Sequence, residues 1–258
     1  MWLKTAEGIL IPFAGTGLGA ACVFFLKERM SDRTNRILSG FAAGIMVSAS
    51  FFSLILPALE QCGSMGRLAF VPAVTGFLVG MGFLLLLDVL IPHIHPDSSE
   101  EGPQSGLKKT AKLALAVTLH NLPEGMAVGV AFAVALSSPD LAVSASFVLS
   151  VGITLQNFPE GAIISMPLSA GGMKKGKSFF WGMMSGLIEP VGALLSLLLT
   201  HFVQGLLPYV LSFAAGAMLY VVSQELIPSL AGEKGNGAGL WSVAAGFALM
   251  MLMDVALG

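Results

Sequence analysis

Two closely similar polar hexapeptides interrupt this apolar sequence, HNLPEG at residues 120–125 and QNFPEG at residues 156–161. Imidazole, amide and carboxylate groups of the kind they carry are common metal ligands. On a helix, the first and fifth positions of each hexapeptide share a face, and the second position lies beside it. The sequence therefore predicts two polar faces that could surround one metal ion or two. The side chains concerned are His120, Asn121, Glu124, Gln156, Asn157 and Glu160.

Proline occupies the fourth position of each hexapeptide and cannot donate a backbone hydrogen bond. The carbonyl four residues earlier then loses its helical partner, so a kink is expected in each helix, and the freed carbonyl can face a polar cavity. A third carboxylate, Glu189, directly precedes Pro190. We therefore expect Glu189 to lie on a third proline-distorted helix and to join the same site.

The types of these side chains indicate which class of metal ion they would bind. Imidazole with carboxylate and amide oxygens, and without thiolate, suits a borderline divalent ion such as zinc, iron, manganese or cadmium. The absence of cysteine from these polar motifs also suits transport, which needs binding that the ion can escape. Three buried carboxylates would repel one another without a cation, so we expect metal and protons to compete for the site.

The elements that must position these side chains are membrane-spanning helices. The 258 residues are 55% hydrophobic and only 11% charged, and the mean hydropathy is +0.84, far from the averages of a soluble domain. Alternating strands of the transmembrane barrel type do not recur. We predict one all-α integral membrane domain over residues 1–258, with apolar stretches of about 20 residues or more at 5–26, 37–60, 68–92, 111–136, 140–168, 178–203, 207–229 and 239–257.

Basic residues predict how these eight spans are oriented. Of the 13 Lys and Arg residues, only Lys4 and Arg67 would lie on one side of the membrane. This asymmetry favours both termini on the outside. The net charge of −2 gives no reason to expect a nucleic-acid partner, and the basic loops are explained by topology and by contact with anionic lipids of the bilayer.

The two halves of the sequence resemble each other. Residues 42–57 (AAGIMVSASFFSLILP) in span 2 are similar to residues 214–228 (AAGAMLYVVSQELIP) in span 7, and the sequences around Asp88 and Asp254 are similar in spans 3 and 8. Because spans 2 and 7 would run in opposite directions, as would spans 4 and 5, we predict an inverted 3+2+3 repeat, a common transporter architecture. Close packing of small residues in membrane helices is the alternative explanation.

A purely structural role is the alternative for each buried acid. For the hexapeptides and Glu189 it is disfavoured, because no Lys or Arg lies in the middle of a predicted span to serve as a partner. For Glu225, Asp88 and Asp254, which lie nearer to helix ends, the structural and functional interpretations are equally open.

Through HNLPEG, QNFPEG and IEP at residues 188–190, the chain resembles the Zrt/Irt-like (ZIP) metal-ion transporters, and among them the prokaryotic GufA-type branch. The resemblance covers essentially the whole chain. It implies import of a divalent metal, above all zinc and also cadmium, iron or manganese, into the cytoplasm through the inner membrane of a prokaryote. It also implies a homodimer and no catalytic cofactor.

The resemblance further implies a binuclear site halfway through the membrane, bridged by Glu124 and Glu160. Many relatives carry His at position 156 and some carry Asp at position 157, so the neutral amides of this chain would weaken both subsites electrostatically. One metal would be held by His120, Glu124, Gln156 and Glu160 with the thioether of Met46, and the other by Asn121, Glu124, Asn157, Glu160 and Glu189.

A second group of ligand types occurs in HIHPDSSEEG, from His93 to Gly102, within a predicted cytoplasmic loop at about residues 93–110. His93, His95 and Asp97 could capture metal transiently in this flexible Pro- and Ser-containing segment. An ordinary polar turn is the alternative interpretation.

The inverted repeat predicts alternating access, and the resemblance implies that spans 1, 4, 5 and 6 move against spans 2, 3, 7 and 8. No GxxxxGK[ST] motif is present, so ATP binding of that type is not expected to drive it. A metal-selective channel is the nearest alternative. An intramembrane metal-dependent enzyme is a further one, but its expected HExxH motif is absent.

Overall fold

The computed structural model describes residues 2–25, 31–94, 100–107, 109–137, 139–202, 204–230 and 237–257. This part of the chain contains eight helices that are long and apolar enough to cross a membrane, as predicted, so the protein is an all-α multi-pass membrane protein. We number them in chain order: α1 Trp2–Phe25, α2 Asp32–Gln61, α3 Phe70–Leu90, α4 Lys109–Ser137, α5 Pro139–Ala170, α6 Lys175–Ser185 continued by Ile188–Phe202, α7 Leu207–Ser229 and α8 Ala238–Leu257.

Two of these helices contain a π-helical segment shortly before a proline. The segment Ser50–Ile55 in α2 precedes Pro57, and the segment Val222–Leu226 in α7 precedes Pro228. Membrane helices tolerate proline through local adjustments of this kind. Because a π-helical turn changes the angle between successive side chains, it also redirects the residues around it, and such turns are frequent at functional sites.

Four pairs of helices make the most extensive contacts, namely α1 with α5, α4 with α6, α2 with α8 and α3 with α7. Helices α1, α4, α5 and α6 therefore form one group, and α2, α3, α7 and α8 form a second. Exchanging α1 with α6, α2 with α7, α3 with α8 and α4 with α5 leaves the four pairs unchanged. The predicted inverted repeat requires this exchange. The packing supports the repeat, which stays a prediction.

Helices α4 and α5 lie where the two groups meet. Each contacts the other, and α5 also packs on α2 while α4 packs on α7. In the most apolar window of α4, 78% of the residues are buried, against 28% in α3 and 22% in α8. The outer helices expose large apolar side chains such as Leu86 and Trp241, which suit contact with lipid. The hexapeptides thus lie on the central helices.

The segment after α3 contains a short hairpin that the all-α prediction missed. Strand β1, His93–Ile94, pairs antiparallel with β2, Glu100–Glu101, and places His93 opposite Glu101. Two residues per strand are too few to give a recognisable alternation in the sequence. His95 and Asp97 lie outside the described residues.

Candidate metal site

In the structure, most of the predicted ligands are buried near the middle of their helices. Asn121, Glu124, Gln156 and Asn157 are completely buried, and Glu189 is 1% exposed. His120 is also buried, and Glu160 is partly exposed. Helices α4 and α5 continue through Pro123 and Pro159, so the predicted kinks stay predictions. Polar groups at such depth are costly unless another group pairs with them.

The amide nitrogens near the site are used for contacts between protein groups. Asn121 Nδ2 donates to Glu189 Oε1 over 3.2 Å and lies 3.5 Å from the carbonyl oxygen of Ser185. Gln156 Nε2 donates to Asn157 Oδ1 over 3.3 Å, and Asn157 Nδ2 donates to the carbonyl of Pro12 over 3.4 Å. These contacts connect α4 with α6 and α5 with α1.

Several side-chain oxygens of the predicted ligands, by contrast, are buried and have no hydrogen-bond partner among the described residues. Glu124 lies near the amide of Gln156 but makes no hydrogen bond of good geometry. Unpaired carboxylate and amide oxygens are the groups that a hard or borderline cation would satisfy. These atoms are Asn121 Oδ1, Glu124 Oε1 and Oε2, Gln156 Oε1, Glu160 Oε2 and Glu189 Oε2.

The carboxylates lie near one another, but they do not surround a single point. Glu124 is close enough to Glu160 and Glu189 to interact with them electrostatically. His120 contacts a different carboxylate, because its Nδ1 lies 3.1 Å from Oε2 of Glu225 in α7. Across the described ranges, no three His, Cys, Asp or Glu side chains are close enough together to hold one metal ion. Coordination of an ion would therefore require side-chain rotations.

Two cavities approach the site from opposite ends of the helix bundle. The inner cavity, about 470 Å³, opens at the start of α2 and the end of α7, the end predicted to be cytoplasmic, and reaches His120, Glu160 and Glu225. The outer cavity, about 340 Å³, is lined by residues such as Glu60, Ala131, Leu149 and Asp254. The described lining of the outer cavity contains no hexapeptide residue.

A band of helix separates the described linings of these two cavities. In α4 the inner cavity ends at His120 and the outer begins at Ala131, and in α5 the outer ends at Leu149 and the inner begins at Glu160. Eleven residues of helix rise about 16 Å, so each helix passes through a band of that thickness. The fully buried Ile153 lies in this band on the outer side of QNFPEG. The inner cavity thus reaches the site, and the described lining of the outer cavity stops short of it.

Comparison with known proteins identifies the family. The sequence model of the ZIP zinc transporter family matches residues 109–254. The chain is 37% identical to zinc transporter GufA of Myxococcus xanthus, over 96% of this chain and 97% of that one. It is 39% identical to zinc transporter ZIPB of Bordetella bronchiseptica, over 95% and 79%, and 34% identical to zinc transporter ZIP11 of Xenopus tropicalis, over 99% and 98%.

The chain belongs to the ZIP family. The predicted resemblance, including its GufA-type character, is therefore confirmed. The region matched by the ZIP family model begins with α4 and ends in α8, so it contains both hexapeptides, Glu189 and Glu225. Met46 and His93 lie outside it. Met46 is completely buried in the apolar core, and its thioether as a metal ligand stays a prediction.

Sequence reasoning gave Glu225 no more weight than Asp88 or Asp254, and the structure of this ZIP protein separates the three. Glu225 lies beside His120, whereas Asp88 accepts a hydrogen bond from Tyr220 over 2.5 Å. Asp254 accepts one from Ser53 over 2.8 Å. The sequence places Glu225 three residues before Pro228, but the π-helical segment there and the contact with His120 are seen only in the structure.

His93 is packed into the fold and does not lie in an open segment, contrary to the expectation of a flexible loop. Its side chain is completely buried, its Nδ1 lies 2.8 Å from the carbonyl oxygen of Ile91, and its Nε2 lies 3.6 Å from Asp88. The hairpin explains this burial, because β1 packs against α4. Metal capture by His93, His95 and Asp97 stays a prediction.

Proposed function

We propose that this protein carries zinc across the membrane through the polar cluster of α4, α5 and α6. Three relatives named zinc transporters match nearly the whole chain. The observation that carries the proposal is the set of buried, unpartnered oxygens on the hexapeptides and Glu189. An unpaired buried polar group costs roughly 1–3 kcal/mol, so several in one place favour a passing cation as their partner.

Zinc is the proposed cargo, and cadmium, iron and manganese are further candidates because the same oxygen and imidazole ligands suit them. Glu124 and Glu160 would bridge two ions. His120, Gln156 and Met46 would complete one subsite, and the second subsite would take the remaining ligands, Asn121, Asn157 and Glu189. Rotation of His120 away from Glu225 would bring its imidazole to the first subsite.

Alternating access is the mechanism that the two unequal cavities support best. The inner cavity reaches the site, whereas the described lining of the outer cavity does not, and this asymmetry corresponds to an inward-open state. The two described linings share no residue, whereas a channel would need a continuous pore. We propose import, with α1, α4, α5 and α6 moving together against α2, α3, α7 and α8.

We propose that the protein lies in the inner membrane of a prokaryote with both termini outside, because the basic residues are concentrated on the opposite side. A homodimer is the proposed assembly. The exposed apolar faces of α3 and α8 would contact either lipid or a second copy of the chain.

The test is zinc uptake into sealed proteoliposomes by the parent chain and by Glu124→Gln and Glu160→Gln. The amide keeps the shape of the side chain and removes its charge. Loss of one partner from a buried ionic site costs about 3–5 kcal/mol, so we expect uptake to fall roughly 100-fold or more.

Glu7→Gln is the matched control, because Glu7 is an exposed carboxylate of α1, and its uptake should equal that of the parent. Comparable circular dichroism and gel-filtration profiles would show that all variants are folded. Uptake that persists in both site variants would exclude the hexapeptides as the metal route. An ohmic zinc current without saturation would favour a channel.

A further inference from the structure

Helix α1 contributes a side chain to the cluster that no sequence motif indicates. Thr16 is completely buried, and its hydroxyl donates a hydrogen bond to Glu189 Oε1 over 2.8 Å. Asn121 donates to the same carboxylate oxygen. Asn157 also lies near this carboxylate, but the other oxygen, Glu189 Oε2, makes no hydrogen bond of good geometry. Two donors thus hold one oxygen of Glu189, and the second oxygen is left available for a cation.

Thr16 does not make the local hydrogen bond that two other threonines of the membrane helices make. Thr154 and Thr200 donate to carbonyls of their own helix four residues earlier, which is the common local solution. The corresponding carbonyl for Thr16 is that of Pro12, which instead accepts from Asn157. Helix α1 therefore contacts two of the predicted ligands, Asn157 through a carbonyl and Glu189 through a hydroxyl.

The space around this contact is kept open by a glycine. Gly186 lies at the break between the two parts of α6. A Cβ atom at this position would lie 2.8 Å from both Thr16 Oγ1 and Glu189 Oε1, which is too close for a carbon atom. Only glycine there leaves the hydroxyl and the carboxylate in hydrogen-bonding contact.

The glycines that end the hexapeptides place Thr16 and Glu189 in matching positions. A Cβ at Gly125 of HNLPEG would overlap the backbone of Glu189, and a Cβ at Gly161 of QNFPEG would overlap the backbone of Thr16. Thr16 therefore occupies the same position relative to the α5 hexapeptide as Glu189 occupies relative to the α4 hexapeptide.

A second pair of contacts repeats the relation three residues further along each helix. A Cβ at Gly192 in α6 would meet the carbonyl of Leu122, and a Cβ at Gly19 in α1 would meet the carbonyl of Phe158. Leu122 and Phe158 are the third residues of their hexapeptides. If the predicted repeat exchanges α1 with α6 and α4 with α5, Thr16 thus takes the position of Glu189.

We propose that Thr16 is the α1 member of the metal site, a positioning residue that fixes Glu189 so that Oε2 stays available to the ion. This inference rests on the proposed function and extends it. Partners behind a metal ligand orient it, and their loss typically weakens metal binding 10- to 100-fold. Thr16 accordingly sets the metal affinity of the subsite that contains Asn121, Asn157 and Glu189.

The experiment compares Thr16→Val, which keeps the β-branched shape and removes the donor, with Thr16→Ser, which keeps the hydroxyl. Zinc binding to purified protein is measured by calorimetry, and uptake is measured in proteoliposomes. We expect Thr16→Val to raise the dissociation constant and the half-saturating zinc concentration about 10-fold. Thr16→Ser should stay within about twofold of the parent, and the maximal uptake rate should change less than the affinity.

Thr200→Val is the matched control, because Thr200 is equally a buried threonine but donates only within α6. It should bind zinc like the parent. A double variant tests whether Thr16 acts through Glu189: in a Glu189→Gln background, Thr16→Val should add little to the loss of affinity. A full additional 10-fold loss there would overturn the proposal.

The outcomes separate this inference from the proposed function. Parent-like zinc affinity in Thr16→Val, with the parent transporting zinc, overturns the role of Thr16 alone. Equal losses of zinc affinity in Thr16→Val and Thr16→Ser would show that Thr16 contributes only by packing, and would also overturn the proposal. If the parent binds zinc without transporting it, the transport function fails while the binding comparison still decides the role of Thr16. A parent that does not bind zinc overturns both.

Discussion

The candidate metal site has two faces, and different helices meet at each of them. The cavity face consists of His120, Glu160 and Glu225 and lines the inner cavity. The enclosed face consists of Asn121, Asn157 and Glu189, which are buried and held by hydrogen bonds to neighbouring helices. The first face is accessible from one end of the bundle, and the second is surrounded by protein.

The contacts of the two faces cross different boundaries. On the cavity face, His120 of α4 contacts Glu225 of α7, and so connects the two helix groups. On the enclosed face, every contact described joins α1, α4, α5 or α6, which all belong to one group. A movement of one group against the other would break the His120 contact and preserve the enclosed face. In the proposed movement, an ion bound to the enclosed face would therefore travel with that face.

We expect the largest effect on stability and zinc binding from a substitution that disrupts the packing of the enclosed face. Gly125→Ala would place a Cβ against the backbone of Glu189 and force α4 and α6 apart. Overpacking of this kind costs about 1–3 kcal/mol of unfolding free energy, and we expect zinc binding to be lost with it. Thermal unfolding in detergent, with and without zinc, measures both effects.

Gly82→Ala is the control for that substitution, since a Cβ at Gly82 in α3 meets no atom within 4 Å. It should be neutral, or stabilising by up to about 1 kcal/mol. If Gly125→Ala behaved like Gly82→Ala and still bound zinc, the tight packing of the enclosed face would be unnecessary for the site.

A substitution on the cavity face should affect the movement of the two helix groups more than it affects zinc binding. Glu225→Gln weakens a charge-assisted hydrogen bond worth about 1.5–3 kcal/mol, so we expect the maximal uptake rate to change about 10-fold. The zinc affinity measured by calorimetry should stay close to that of the parent. A large loss of affinity without a change in rate would instead place Glu225 among the ligands and remove the distinction between the two faces.

The smallest effect is expected at the outer cavity. Asp254 is partly buried beside Ser53 and lines that cavity together with Glu60, at a distance from both faces. Asp254→Asn should lower uptake at low zinc by about twofold, through weaker electrostatic attraction, and added salt should abolish the difference. A salt-independent loss of transport would show that Asp254 has a role in the movement itself.

The helices could be predicted from the sequence because each is a long apolar stretch, and lipid requires a helix to satisfy its own backbone. The spans around residues 207–229 and 239–257 agree closely with α7, Leu207–Ser229, and α8, Ala238–Leu257. A distortion is expected at Pro190, but the position of the break in α6 after Ser185 could not be predicted in this way. It serves the approach of Glu189 to Thr16, a contact between residues 173 positions apart.

By itself, the sequence determined the membrane class, the eight helices, the family and the hexapeptides as places to look for metal ligands, because hydropathy and local spacing are properties of a continuous segment. Only the tertiary structure decided that Glu225 faces His120, that His93 is buried, and that Thr16 joins Glu189. These relations depend on which helices pack together and how closely. Such distances are set by glycine contacts and π-helical turns between segments far apart in the chain, and no local pattern contains them.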